Sequence, residues 1–255
     1  MPYPPKTELP RSGRTVDPRA LRREERELQT REGLGLGCEH QRIQVSLLAP
    51  LESKCLAWLA QRTPGWIQAD HLTLLGFLSL VLAGFSYTLA QGNPLALLLV
   101  NLCLALNWLG DSLDGTVARA RHQQRPRYGF YVDHMVDTFG VLFLLGGLAL
   151  SGYMSPRVAA GLLTAYLLLS IEVYLATHAL GRFHLSMAGV SPTELRILIA
   201  IGNLVLLFHP TVRLVGQTYR LYDAAGLIGI ILIGVTLLSS VARNTLALYR
   251  AEPLA

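Results

Sequence analysis

Charge is what this chain has least of. Only 15% of its 255 residues are Asp, Glu, Lys or Arg, whereas 51% are hydrophobic and the mean hydropathy is +0.38. An ordinary soluble domain carries about 25% charged residues, so a fully hydrated globule is excluded and a membrane protein is expected. Cysteine is scarce too: Cys38, Cys55 and Cys103 are far apart and form no C-x-x-C pair, which removes a disulfide framework and a thiolate zinc site. No apolar stretch with a small-residue cleavage site opens the chain, where Pro2, Pro4, Pro5 and Pro10 stand instead. The expectation is therefore no cleaved signal peptide, with the first true span directing insertion. Internal repeats and matched pairs of interrupted spans are also missing, which weighs against a transporter built from inverted halves.

The charge that is present is unevenly placed, with 11 of the 22 Lys and Arg residues ahead of Asp70. Glu24, Glu25, Glu27 and Glu32 are interleaved with Arg22, Arg23, Arg26 and Arg31. Such mixing suits a solvated helix or a membrane surface and argues against a nucleic-acid groove, which needs an unbroken run of cations. Residues 1–45 read as a flexible charged arm. From Leu47 to Trp66 the apolar Leu48, Leu51, Cys55 and Leu59 recur near helical spacing, with Glu52, Lys54 and Arg62 elsewhere. That stretch is too polar to span, so an amphipathic helix lying along the headgroups is expected over 46–68.

Six apolar runs follow, near 71–90, 94–118, 130–152, 157–180, 193–209 and 224–248, each close to the ~20 residues a bilayer core requires. The fold expected is an all-α integral membrane domain over 69–250, six transmembrane helices preceded by the interfacial helix. Arg119, Arg121, Arg125 and Arg127 lie between the second and third runs, and the turn at 91–93 is uncharged. The positive-inside tendency then sets that loop and both termini in the cytosol, with Arg121, Arg125 and Arg127 as topology determinants. Residues 210–223 read as an external loop, although Arg213 and Arg220 run against the trend. Trp58, Trp66, Tyr128 and Tyr131 fall near the boundaries where amphipathic rings settle.

Chemistry concentrates between 111 and 137. Asp111 and Asp114 are three apart and Asp133 and Asp137 four apart, so each pair shares one turn of a helix face. Two adjacent spans can bring all four carboxylates together at the membrane boundary, where clustered anions repel unless a cation joins them. Hard divalent cations take oxygen ligands, so the cluster reads as a site for Mg2+ or Mn2+. Gly115 and Ala118 let a helix or a flat ligand approach the backbone, and Arg119 supplies a cation suited to phosphate. Asp70, immediately before an apolar run, reads as a helix N-cap. Glu172, His178, Glu194 and Arg196 are intramembrane or boundary polar residues that either line a pocket, which for the family resembled below would be that of the acceptor, or pair within the bundle. Helix-end solvation of the acids, and a permeation site in a divalent-cation transporter, are the competing readings.

These residues resemble the signature of the CDP-alcohol phosphotransferase family, D-x-x-D-G-x-x-A-R followed after eight residues by G-x-x-x-D-x-x-x-D. The resemblance runs through Asp111, Asp114, Gly115, Ala118, Arg119, Gly129, Asp133 and Asp137. Nine residues, 120–128, separate its halves here, and none is Ser or Thr. Upstream, Ala69-Asp70-His71-Leu72-Thr73 is similar to the family's Pro-Asn-x-x-Thr element, with Ala and Asp replacing Pro and Asn. The resemblance implies a metal-dependent, homodimeric enzyme of phospholipid synthesis. It implies transfer of a phosphate-linked alcohol from a CDP-linked donor to an alcohol acceptor, with release of CMP. It assigns Asp111, Asp114, Asp133 and Asp137 to the metal and Asp137 to proton abstraction. Gly115, Ala118, Arg119, Gly129, Asp70 and Thr73 fall to the donor. Donation of phosphatidyl from CDP-diacylglycerol and donation of a CDP-choline or CDP-ethanolamine headgroup to diacylglycerol share this signature. His134, next to Asp133, also occurs in the latter branch.

Overall fold

Seven helices and one short hairpin follow one another in the computed structural model, which describes residues 49–180, 192–214 and 216–252. The charged arm at 1–45 lies outside the described residues. In chain order the elements are α1 (Ala49–Arg62), α2 (Ala69–Ala90), α3 (Ala96–Ala120), α4 (Pro126–Leu150), α5 (Pro156–Leu180), α6 (Pro192–Phe208), β1 (Thr211–Leu214), β2 (Gln217–Arg220) and α7 (Leu221–Ala251). The chain is an all-α membrane protein: α2, α3, α4, α5 and α7 are long and apolar enough to cross a bilayer. The run expected as a sixth span forms α6, 17 residues among those described, at the short end of what a bilayer core requires. α4, α5 and α6 each begin with a proline, which lacks the N–H that the first helical turn leaves unused.

α2 is central. Its backbone meets that of α3 where a Cβ on Gly110 would lie 2.5 Å from the Leu72 carbonyl and 2.7 Å from the Gly76 nitrogen. It meets α4 where a Cβ on Gly147 would collide with the carbonyl of Gly84. Lipid supplies no hydrophobic drive for helices to associate, so close backbone approach and polar contacts must hold them. The polar contact here is buried: Tyr87 and Tyr222 both donate to Oδ1 of Asn203, at 2.8 and 2.7 Å, and Asn203 donates to Asn101 at 2.8 Å. That network joins α2, α3, α6 and α7 and leaves Asn203 and Tyr87 with no exposed surface. α5 and α7 run parallel on the outside, tied by Glu172, which accepts from Ser240 at 2.9 Å and Asn244 at 2.7 Å.

One local expectation changes, and two stretches gain detail. α1 exists, but its buried face carries Leu56 and Ala60, packed on Leu72, Leu113 and Val117, and Cys55 is exposed. Glu52 shares that inward face, at i−4 and i−8 from the two buried residues. Within 210–223, Thr211–Leu214 and Gln217–Arg220 form a hairpin, with Thr211 opposite Arg220 and Leu214 opposite Gln217 and Gly216 at φ 79°, and α7 begins at Leu221. Arg121 is a structural staple: its guanidinium donates to the carbonyls of Ile67, Thr63 and Pro64 at 2.5, 2.9 and 3.0 Å, fixing the α1–α2 connection to the end of α3.

Candidate active site

α3 ends and α4 begins at one end of the bundle, and the short loop between them sets their aspartates face to face. α3 closes with His122 in the left-handed region at φ 55°. The Gln123 amide donates to Ala118 at 3.0 Å and that of His122 to Arg119 at 3.2 Å. This is the double-bonded helix terminus usually built around glycine. Four residues later α4 starts back along α3.

Carboxylate oxygens of Asp111, Asp133 and Asp137 all lie within 4.8 Å of one another, and the three residues are half-buried. Oxygens around an Mg2+-sized ion stand about 3 Å apart when adjacent and about 4.2 Å apart when opposite, so the three carboxylates are near enough to close around such a cation by side-chain rotation. The donor set, hard and oxygen-only, fits Mg2+ or Mn2+. Asp114 lines the same cleft but stands outside this trio. Its Oδ2 accepts from Thr73 Oγ1 at 2.6 Å. All four aspartates line this one cleft, three with oxygens close together and the fourth hydrogen-bonded to Thr73 on α2.

Cations and amides hold the cleft's walls. Arg196 on α6 donates through Nη2 to Asp111 Oδ2 at 2.6 Å and through Nε to Asn107 Oδ1 at 2.7 Å. Asn107 in turn donates to the Gly76 carbonyl at 3.0 Å. Sequence reasoning missed Asn107. Its signal is an amide in an apolar run, one turn before Asp111 on the same face. Asp70 is not the N-cap of α2: Gln68 holds that position, and Asp70, in the first turn, pairs with Arg125. The hydrogen bond and charge of Asp70 raise the exposed Arg125 guanidinium above its ordinary pKa.

The remaining expected residues scatter. Gly115 faces the Arg119 side chain, 3.3 Å from where a Cβ would sit, and Arg119 donates to Thr116 at 3.1 Å. Ala118 is half-buried in the last turns of α3. Gly129 is exposed, with open space where a Cβ would stand. His134 lies 3.7 Å from Asp133 and its ring packs on Phe130 and Tyr174, with centroids 4.2 and 4.8 Å apart. Of the four residues expected around an acceptor, only Arg196 has a described contact in the cleft. Glu172 turns to α7, His178 is exposed, and Glu194 is half-buried in the first turn of α6.

The cleft gathers carboxylate oxygens at one end of a membrane helix bundle, and the family that the sequence matches is one of transferases for substituted phosphate groups. Residues 66–244 match the CDP-alcohol phosphatidyltransferase family, 179 of 255 residues, and the chain belongs to that family. The match takes in α2 through most of α7, and α1 precedes it.

Proposed function

We propose that the protein transfers a phosphatidyl group from CDP-diacylglycerol to a small polar alcohol, releasing CMP, at the cytosolic face of its membrane. The observation that carries the reading is the trio of carboxylate oxygens from α3 and α4. In this reading Asp111, Asp133 and Asp137 hold Mg2+ or Mn2+, with Asp114 beside them. The cation, when bound, neutralises the donor's diphosphate and stabilises CMP as it leaves.

The protein's own groups do the rest. Asp137 takes the proton of the acceptor hydroxyl, whose oxygen forms the new bond to phosphorus as the bond to CMP breaks. Gly115, Ala118 and Gly129 let the donor lie against the backbone, and Arg119, with Asp70 and Thr73, borders it. Arg196, with Glu194, faces the acceptor side, and the arginines of the α3–α4 loop draw anionic substrates inward. Both termini lie in the cytosol, α6 serves as the sixth span, and the enzyme works as a homodimer.

The test is to incubate the purified protein with Mg2+ or Mn2+ and a panel of CDP-linked donors and acceptors, following CMP release. CDP-diacylglycerol should support release, and Asp137→Asn should abolish it. Turnover with CDP-choline and diacylglycerol instead would move the assignment to headgroup transfer, and release untouched by Asp137→Asn would remove the base. Mass spectrometry of membrane lipids with and without the active protein names the product.

A further inference from the structure

Glu52 is a carboxylate placed where helix periodicity calls for an apolar side chain. It stands at i, with Leu56 at i+4 and Ala60 at i+8, on the face that α1 buries against α2 and α3. Taking such a group out of water is costly unless donors meet it, and three do. Its Oε1 accepts from Trp108 Nε1 at 2.9 Å, Thr193 Oγ1 at 3.0 Å and Ser112 Oγ at 3.4 Å. Two of these donors bracket Asp111 on α3, three residues before it and one after. The third opens α6, one turn before Arg196, whose guanidinium holds Asp111 Oδ2 at 2.6 Å.

We propose that Glu52 is a positioning residue for the cation site: it locks the Asp111 turn of α3 and the first turn of α6 to the interfacial helix, so that Arg196 and Asp111 are held in register. The inference rests on the reading of Asp111 as a cation ligand. It extends that reading to a helix that precedes the matched family region of 66–244. A peg that served only to dock α1 would need one donor on one helix. Glu52 draws on two helices, and each of them leads to the same aspartate by a separate route, along the backbone of α3 and through Arg196 from α6. Partners behind a metal ligand that fix its orientation typically contribute 10–100-fold in metal affinity.

The experiment measures Mn2+ binding to the full-length purified protein by the loss of the free-ion electron paramagnetic resonance signal, without turnover. Glu52→Ala should weaken binding about tenfold or more, the lower end of that range. Glu52→Gln keeps an oxygen acceptor and should stay within about threefold of the parent. Thr193→Val removes one donor, leaves the Glu52 charge in place, and should weaken binding several-fold while leaving thermal stability close to the parent's. Equal Mn2+ affinity in parent and Glu52→Ala would overturn the inference, as would a loss in Glu52→Gln as large as in Glu52→Ala, since charge alone would then account for it. A parent protein that binds no Mn2+ would instead sink the cation reading itself.

Discussion

The hydroxyl of Thr73 lies 2.6 Å from Oδ2 of Asp114, a bond between α2 and α3 that spans 41 positions of sequence and ties one of the cleft's four aspartates to the central helix. A hydrogen bond to a charged group contributes about 1.5–3 kcal/mol. Thr73→Val should therefore lower kcat/KM for CMP release about tenfold or more, and Thr73→Ser, which keeps the hydroxyl, should stay near the parent. Equal rates for the valine variant and the parent would show that the orientation of Asp114 is irrelevant to turnover.

The glycines divide by what surrounds them. Gly110→Ala and Gly147→Ala force a methyl into backbone of the neighbouring helix, and overpacking of this kind costs about 1–3 kcal/mol. Both variants should melt several degrees lower in detergent. Gly129→Ala meets open space, and alanine is the better helix former by about 1 kcal/mol, so its melting temperature should hold or rise. Its CMP release should nevertheless fall if donor passes close to the backbone there. Full activity in Gly129→Ala would remove that residue from the donor site.

His122 holds a backbone angle that a residue with a side chain adopts at a cost of about 1–2 kcal/mol. His122→Gly should relieve part of it and stabilise the protein by about 0.5–1 kcal/mol, read as a higher melting temperature. A lower value would mean that the gain in unfolded-chain freedom outweighs the relief.

Cation removal should be visible in stability as well as activity. Three half-buried carboxylates within 4.8 Å repel one another, and a ligand bound only by the folded state adds about 2.7 kcal/mol at a hundred times its dissociation constant. Thermal melts with Mn2+ or Mg2+ should exceed those in chelator, and Asp137→Asn should shrink the difference. An unchanged melt on chelation would speak against a site for these ions in the trio.

Much of this architecture was legible before any coordinates. Hydropathy periods located the five long helices, because burial in lipid leaves a signal in every residue of a span. The spacing of Asp111, Asp133 and Asp137 put them on two helix faces for the same reason, a period fixed by backbone geometry. What escaped notice depends on partners distant in sequence. Asp70 looks like a cap from its neighbours alone, and only the α3–α4 loop brings Arg125 to it. Asp114 shares a helical turn with Asp111, and its bond to Thr73 comes from a helix 41 positions away. The inward face of α1 lies one position on from the row Leu51, Cys55 and Leu59, because the row that is buried includes a carboxylate, and the donors that make Glu52 an inward residue lie 56 to 141 positions away. The hairpin at Thr211–Leu214 and Gln217–Arg220 leaves too short a pattern to read among apolar spans.

α7 is 31 residues long, which at 1.5 Å per residue is about 46 Å, well over the ~30 Å of bilayer hydrocarbon. It runs parallel to α5, whose later turns meet the start of α4 through Tyr174, Phe130 and His134, so the C-terminal end of α7 lies at the same end of the bundle as the carboxylates. Its last turns carry Arg243, Tyr249 and Arg250, two fixed positive charges and an aromatic ring. A helix longer than the hydrocarbon is thick thus has turns to spare, and the turns at this end are the cationic ones.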